Sequence, residues 1–187
     1  MIPNGTFVHP PIVADFIPPG DQDYLPLHHV ATGALELGDG NGGRLQQLWE
    51  VNYVAGEARI GKLGETYELA VPIAGVLAIS LAFDSNMAEV LGYQTESGCS
   101  IRFFNPLLPG YDTLDVPEAT SCRVVVDDPR VFNEGNSDVI FGYLRDSVLY
   151  YRQQRDRYMV EYEVGPANGV LIRLGMNLVH RLQFEIA

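Results

Sequence analysis

The sequence predicts an all-β protein: an antiparallel β sandwich or barrel with a C-terminal β meander and an extended, proline-rich N-terminal arm. Three observations carry this. Apolar and polar residues alternate with a period of two in several runs, most clearly at Tyr158–Val164 and Leu178–Ile186, as strands with one wetter face require. Turn-forming pairs such as Asn105-Pro106, Pro109-Gly110 and Asp128-Pro129 punctuate the chain. Val, Ile, Tyr and Phe abound, while long Ala/Glu/Lys/Leu stretches are missing. A chain of 187 residues is long enough for one well-buried domain with an arm, but short for two domains.

Residues 1–43 read as the arm and its glycine-rich hinge, and 44–187 as a single β domain. Pro3, Pro10, Pro11, Pro18, Pro19 and Pro26 crowd the first part of the chain. Each fixes φ, removes a donor and biases its predecessor towards extended backbone, which excludes a helix or a central strand. Apolar residues still come in pairs: Phe7-Val8, Ile12-Val13, Phe16-Ile17 and Tyr24-Leu25. A merely solvated tail would lack them, so the arm is expected to lay Phe7, Val8, Ile12, Val13, Phe16 and Ile17 on another surface. The run Gly33–Gly43 closes it. Asp39, Asn41 and Gly43 mimic the start of a calcium loop, but its later oxygen ligands and closing Glu are missing, and a hinge or turn is the better reading.

The domain opens with Leu45–Val54, which holds the only tryptophan, and continues through a Gly56/Gly61/Gly64 break to a strand at Thr66–Val71. Val76–Phe83 puts Leu77, Ile79, Leu81 and Phe83 on one face and small residues on the other, as in a central strand packed on both sides. Ser85–Leu91 reads as a short helix capped by Ser85 or Asn86. Short strands follow at Ile101–Phe104, Ser121–Val126 and Asp138–Tyr143. Ser147–Val164 reads as a hairpin with Gln153–Asp156 at its tip and Tyr158, Val160, Tyr162 and Val164 on one face. Helical spacing of Leu144, Val148 and Tyr151 leaves an exposed helix over Arg145–Arg157 as the alternative. After a turn at Gly165–Gly169, Val170–Leu174 and Leu178–Ile186 complete the meander. No repeat of 20–50 residues is visible, which argues against a propeller or solenoid.

Charge divides the chain. The formal net charge is −12, yet residues 145–187 hold six arginines against five acids. An acidic majority repels phosphate backbones and excludes a basic nucleic-acid groove. Of 12 basic residues only Lys62 is lysine. Arginine suits forked pairing with carboxylates, and Arg145, Arg152, Arg155 and Arg157 are expected to meet an acidic patch on a neighbouring subunit, an identical copy included.

Chemistry is sparse. No Gly-x-Ser-x-Gly, Walker or Gly-x-Gly-x-x-Gly pattern occurs. His28-His29 point to opposite sides of an extended chain and chelate poorly. Asp127-Asp128 before Pro129 reads as a polar turn, and Tyr143, Tyr150, Tyr151, Tyr158 and Tyr162 as strand tyrosines half in the core. Cys99 and Cys122 are too few for a disulfide framework and are expected to be reduced. No catalytic, metal or cofactor site is expected. No leader pattern and no membrane-spanning run are visible, so synthesis in a cytoplasm is expected.

With Met1–Gly43 as arm and Leu45–Ala187 as β domain, the chain resembles structural proteins of tailed-bacteriophage particles, such as head-decoration (cement) proteins or small tail, neck and baseplate subunits. The resemblance implies a non-enzymatic virion subunit, assembled in the host cytoplasm, whose partners are identical subunits and other structural proteins of the particle. A carbohydrate-binding β sandwich and a small β-barrel enzyme with a divergent site are the alternatives.

Overall fold

The computed structural model describes residues 26–37, 44–108, 110–126, 138–176 and 182–187. Among them are fourteen strands and one 3₁₀ turn, at Gln154–Asp156, and no α-helix. The all-β expectation holds, with antiparallel sheets throughout and a meander at the C-terminal end. The first sheet comprises β1 (His28–Leu37), β2 (Arg44–Val54), β3 (Glu57–Lys62) and β4 (Tyr67–Pro72); the second, β5 (Ala78–Phe83), β6 (Glu89–Thr95), β7 (Gly98–Asn105) and β8 (Gly110–Pro117). The third comprises β9 (Thr120–Val126), β10 (Val139–Arg145), β11 (Val148–Gln153) and β12 (Tyr162–Pro166), and a terminal hairpin pairs β13 (Leu171–Met176) with β14 (Leu182–Ile186).

Each four-stranded sheet is a simple up-and-down meander in chain order. Successive sheets pack mainly through their first strands, β1 on β5, β5 on β9 and β9 on β13. The units therefore adjoin with an inner strand beside the next inner strand. The sequence shows no such repeat of units. The repeat lies in backbone bonds. Each outer strand ends in proline, at Pro72, Pro117 and Pro166, where a missing N–H costs an edge strand little. The residue after each proline donates its N–H to the turn between the two middle strands: Ile73 to Gly56 O (3.0 Å), Glu118 to Ser97 O (3.2 Å) and Ala167 to Ser147 O (2.9 Å).

Those bonds fix which residues are equivalent. At one position are Val51, Gly92 and Gly142, whose inner-strand partners are His29, Ser80 and Arg123. The joints repeat as well. Leu81 N–H donates to His29 Nδ1 and, at the equivalent place one sheet later, Val124 N–H donates to Ser80 Oγ, each at 3.1 Å. Ile79 N–H donates to Pro26 O at 2.7 Å. Inner-strand edge donors thus find acceptors on the preceding sheet or, at Pro26, just before it, as buried backbone groups must. Gly92 and Gly142 permit close approach of the next unit: a Cβ on Gly92 would lie 2.9 Å from Val124 Cγ1, and one on Gly142 3.2 Å from Leu174 Cδ2.

The core follows the joints. Val51, Ala58 and Ile60 of the first sheet, Leu81, Leu91 and Ile101 of the second, and Val124, Phe141 and Tyr143 of the third form one buried cluster. Trp49 meets Phe83 across the first junction, ring centroids 5.4 Å apart, and Phe103 meets Tyr158 across the second at 4.8 Å. Leu144, Leu149 and Leu171 form a second cluster under the terminal hairpin.

Several expectations change. Ser85–Leu91 is not a helix: Asp84 Oδ1 accepts the N–H groups of Asn86 and Ala88 at 2.8 and 2.9 Å, which makes a tight turn into β6. The helical alternative over Arg145–Arg157 is replaced by β11 and the 3₁₀ turn. The Ser147–Val164 hairpin exists, but its second strand begins only at Tyr162. Arg157 and Tyr158 adopt left-handed backbone (φ 51° and 59°), which breaks the alternation: Tyr158 is fully buried while Val160 and Val164 are exposed. Strand β1 lies within the stretch read as arm and pairs with β2, so the first sheet starts before residue 44.

Candidate functional site

Each sheet turns one face towards its predecessor, here its front. On the front of the third sheet, register places Tyr143 and Arg145 of β10 beside Tyr150 and Arg152 of β11. The segment 154–161 folds back over them and seats the Glu161 carboxylate in their midst. Tyr143 OH donates to Glu161 Oε2, Arg145 Nη2 donates to Oε1 at 2.5 Å, and Arg152 Nη2 donates to Oε2 at 3.0 Å. Arg152 also donates from Nε to Tyr143 OH (2.9 Å) and from Nη1 to Tyr158 O (2.7 Å). Burial alone would raise the Glu161 pKa, but the bonds from Tyr143, Arg145 and Arg152 outweigh it and hold the carboxyl below its ordinary value. Burial and the Glu161 carboxylate together push the Tyr143 hydroxyl well up. Tyr158, at the base of the segment, fills the junction against Phe103, and Gln154 Nε2 donates to Asp84 Oδ2 at 3.0 Å.

The equivalent positions on the second sheet are Tyr93, Thr95, Ser100 and Arg102. Among the described residues, no such segment covers them. They line a groove of about 590 Å³ between the second sheet and the Val71–Ala74 end of the first. One wall is apolar (Pro72, Ile73, Ala74) and the other carries hydroxyls and Asp115. Ser100 Oγ donates to Asp115 Oδ1 at 2.7 Å. Arg102 is matched from within its own sheet: Nη1 lies 3.1 Å from Glu89 Oε1, and the guanidinium carbon sits 3.7 Å from the centroid of Tyr111. Tyr111 OH donates to Glu89 Oε2. Burial, then Glu89, pushes the Tyr111 hydroxyl well up. Burial likewise raises Tyr93.

The front of the first sheet differs in kind. Where the later sheets place Leu91 or Phe141, it places Glu50, which meets His28 Nε2 at 3.0 Å. Asn52, at the position of Tyr93 and Tyr143, donates to Tyr67 OH at 2.5 Å. A polar outer face is how an array of stacked units ends without inviting another unit.

The arginines read from the sequence as a neighbour's contact are mostly engaged internally. Arg145 and Arg152 hold Glu161. Arg155 donates from N and Nε to Asp138 Oδ1 and Oδ2, at 2.9 and 2.5 Å, although its side chain is 59 % exposed. Arg157 is exposed beside Met159 and Val160. Phe7, Val8, Ile12, Val13, Phe16 and Ile17 lie outside the described residues. Sequence reading missed Tyr93, Ser100, Arg102 and Asp115 altogether. A signal existed in the outer strands, which share Tyr-acid-…-Pro at Tyr67-Glu68…Pro72, Tyr111-Asp112…Pro117 and Tyr162-Glu163…Pro166. No group of three or more His, Cys, Asp or Glu that could hold a metal occurs among the described residues, and none of their helices is long and apolar enough to cross a membrane.

No protein-family model matches the chain, and no characterised protein or solved structure is significantly similar to it.

Proposed function

We propose that the chain is a non-enzymatic structural subunit of a large protein assembly, of the kind from which tailed-bacteriophage particles are built, and that it acts by burying its exposed edges against neighbours. The observation that carries this reading is where large apolar side chains remain in solvent. Most lie on the outer strands and their connections, among them Tyr67 and Leu69 on β4, Leu107 and Leu108 in the β7–β8 turn, and Met159, Val160 and Val164 around β12, while Val54, Leu77 and Ile172 are exposed elsewhere. Apolar groups concentrated at edges are what a subunit covers on assembly. The paired apolar residues between Phe7 and Ile17 add a further contact of the same kind.

Deletion of residues 2–24, which leaves Pro26 and its bond to Ile79 in place, tests this. The truncated chain is expected to keep its β-rich circular dichroism and cooperative melting but to lose mass in light scattering and incorporation into particles. Unchanged mass and incorporation would sink the reading. The carbohydrate-binding alternative would use the hydroxyls of the groove, but Tyr93, its aromatic, is 8 % exposed and offers no ring face for a sugar to stack on.

A further inference from the structure

We propose that the groove between the first two sheets receives the Arg157–Val160 turn of a second copy of this chain. The inference deepens the structural-subunit reading and rests on it. It starts from the repeat. The junction between the second and third sheets is filled by segment 154–161, which supplies an aromatic anchor (Tyr158 on Phe103) and a carboxylate (Glu161 on Tyr143, Arg145 and Arg152). One junction earlier the same positions line an open groove.

The chemistry of that groove differs in sign. Thr95 stands where the third sheet has Arg145, and Arg102 already faces Glu89. Asp115 accepts from Ser100 through Oδ1, and its Oδ2 has no partner among the described residues. An entering carboxylate would meet one occupied cation and two acids. An entering cation would find an open carboxylate oxygen, and apolar atoms beside it would find Pro72, Ile73 and Ala74. The groove thus calls for a positive side chain flanked by apolar ones.

The chain carries that pattern on its own surface. Left-handed backbone at Arg157 and Tyr158 turns Tyr158 inward and leaves Arg157, Met159 and Val160 outside, with Met159 71 % exposed. Among the described arginine side chains, Arg157 is the one without an internal partner. Charge and apolarity match: Arg157 on Asp115, Met159 and Val160 on the Pro72–Ala74 wall. Turn and groove are different surfaces, so the contact is head-to-tail and closes into a ring or propagates as a filament.

Light scattering of the full chain over a concentration series, with charge reversals, tests the contact. The unmodified protein is expected to exceed monomer mass. Asp115→Arg and Arg157→Glu should each weaken association about tenfold or more through like charges facing each other, and the double variant should recover it. Both side chains are exposed, and unchanged circular dichroism will show that folding is intact. A monomer at every concentration, single variants that associate normally, or a double variant without recovery would each overturn the proposal. If self-association persists while the reversals have no effect, the subunit reading stands and this contact falls. If the protein is monomeric and deletion of residues 2–24 leaves particle incorporation unchanged, both fall. Loss of association on adding a soluble oligosaccharide, with the reversals silent, would assign the groove to a sugar instead.

Discussion

Arg102 and Arg152 stand at the same position in successive sheets and serve different carboxylates. Arg102 Nη1 lies 3.1 Å from Glu89, on a strand of its own sheet, whereas Arg152 Nη2 lies 3.0 Å from Glu161, in a connection laid across the sheet. In the second sheet the cation is satisfied locally and the groove in front of it stays open. In the third, the cation is the anchor that closes the junction.

Glu161→Gln tests that anchor. The carboxylate neutralises two arginines that are each less than a third exposed, and its loss leaves them facing one another. A destabilisation of about 2 kcal/mol at neutral pH is expected, below that of a fully buried pair because the site is partly solvated. The pH dependence has a defined sign. A depressed carboxyl pKa contributes stability above the ordinary glutamate value of 4.5 and loses it as pH falls through the lower folded value. Urea midpoints of the two proteins should therefore converge below about pH 4. A constant difference from pH 7 to pH 3 would refute the ion cluster as the source.

The two equivalent glycines should respond unequally to alanine. At Gly92 the new methyl would lie 2.9 Å from Val124 Cγ1 and 3.0 Å from Ser80 Oγ, the hydroxyl that accepts Val124 N–H. At Gly142 it would meet the ends of Leu174, Leu171 and Phe184 at 3.2, 3.4 and 3.4 Å. Leucine tips can shift; a hydroxyl fixed in a joint cannot shift without breaking it. Gly92→Ala is expected to cost about 1–3 kcal/mol and Gly142→Ala under about 1 kcal/mol. Equal melting temperatures for the two variants would contradict the joint.

How far the sequence shows this fold depends on what each strand buries. β5 was legible because Leu81 and Phe83 alternate with small residues, and β9 to β11 because they are apolar runs with turn residues between them. β3 was hidden by Gly56 and Gly61, which read as breaks. Gly56 in fact forms a hairpin turn with Ala55, both at positive φ, and Gly61 sits where a Cβ would lie 2.8 Å from Tyr67 Cα. Ser85 and Asn86 are good caps and favour a helix start ahead of β6, a local preference overridden by the Asp84 turn. β8 alternates Tyr111, Thr113 and Asp115 with Asp112, Leu114 and Val116, but with a charged residue on each face it gives no clear apolar stripe. The groove was invisible for a related reason: Ser100, Arg102 and Asp115 come together only through register. The repeat escaped because equivalence resides in prolines and backbone bonds, while the joint residue itself varies from His29 to Ser80 to Arg123.

Cys99 and Cys122 are free and buried, and the Cys122 thiol is pushed well up by burial and then by its neighbour Cys99. A thiol kept protonated and out of solvent is a poor nucleophile. Neither cysteine is expected to react with an aromatic disulfide reagent at pH 8 in the folded state, and both should react at once in denaturant. Mass spectrometry after brief labelling distinguishes the cases; rapid native labelling of either residue would show that the core between the second and third sheets opens.

Tyr158 is fully buried, packs at a tilt of 58° against Phe103, and carries a hydroxyl with no hydrogen-bond partner among the described residues. Burial, then the Asp138 and Asp84 carboxylates, raise its pKa well above 10. An unsatisfied buried hydroxyl is a standing cost, so Tyr158→Phe is expected to stabilise the fold by about 1 kcal/mol. The gain should widen in alkali. A group whose folded pKa is raised keeps its contribution below its unfolded value near 10 and loses it as pH rises beyond. The unmodified protein should therefore fall in stability above pH 10 more steeply than the phenylalanine variant. Tyr158→Leu keeps an apolar side chain but removes the ring, and should destabilise by about 1–3 kcal/mol through lost packing. If phenylalanine destabilised as leucine does, the hydroxyl would have to be engaged, and the account of this junction as an aromatic plug would fail.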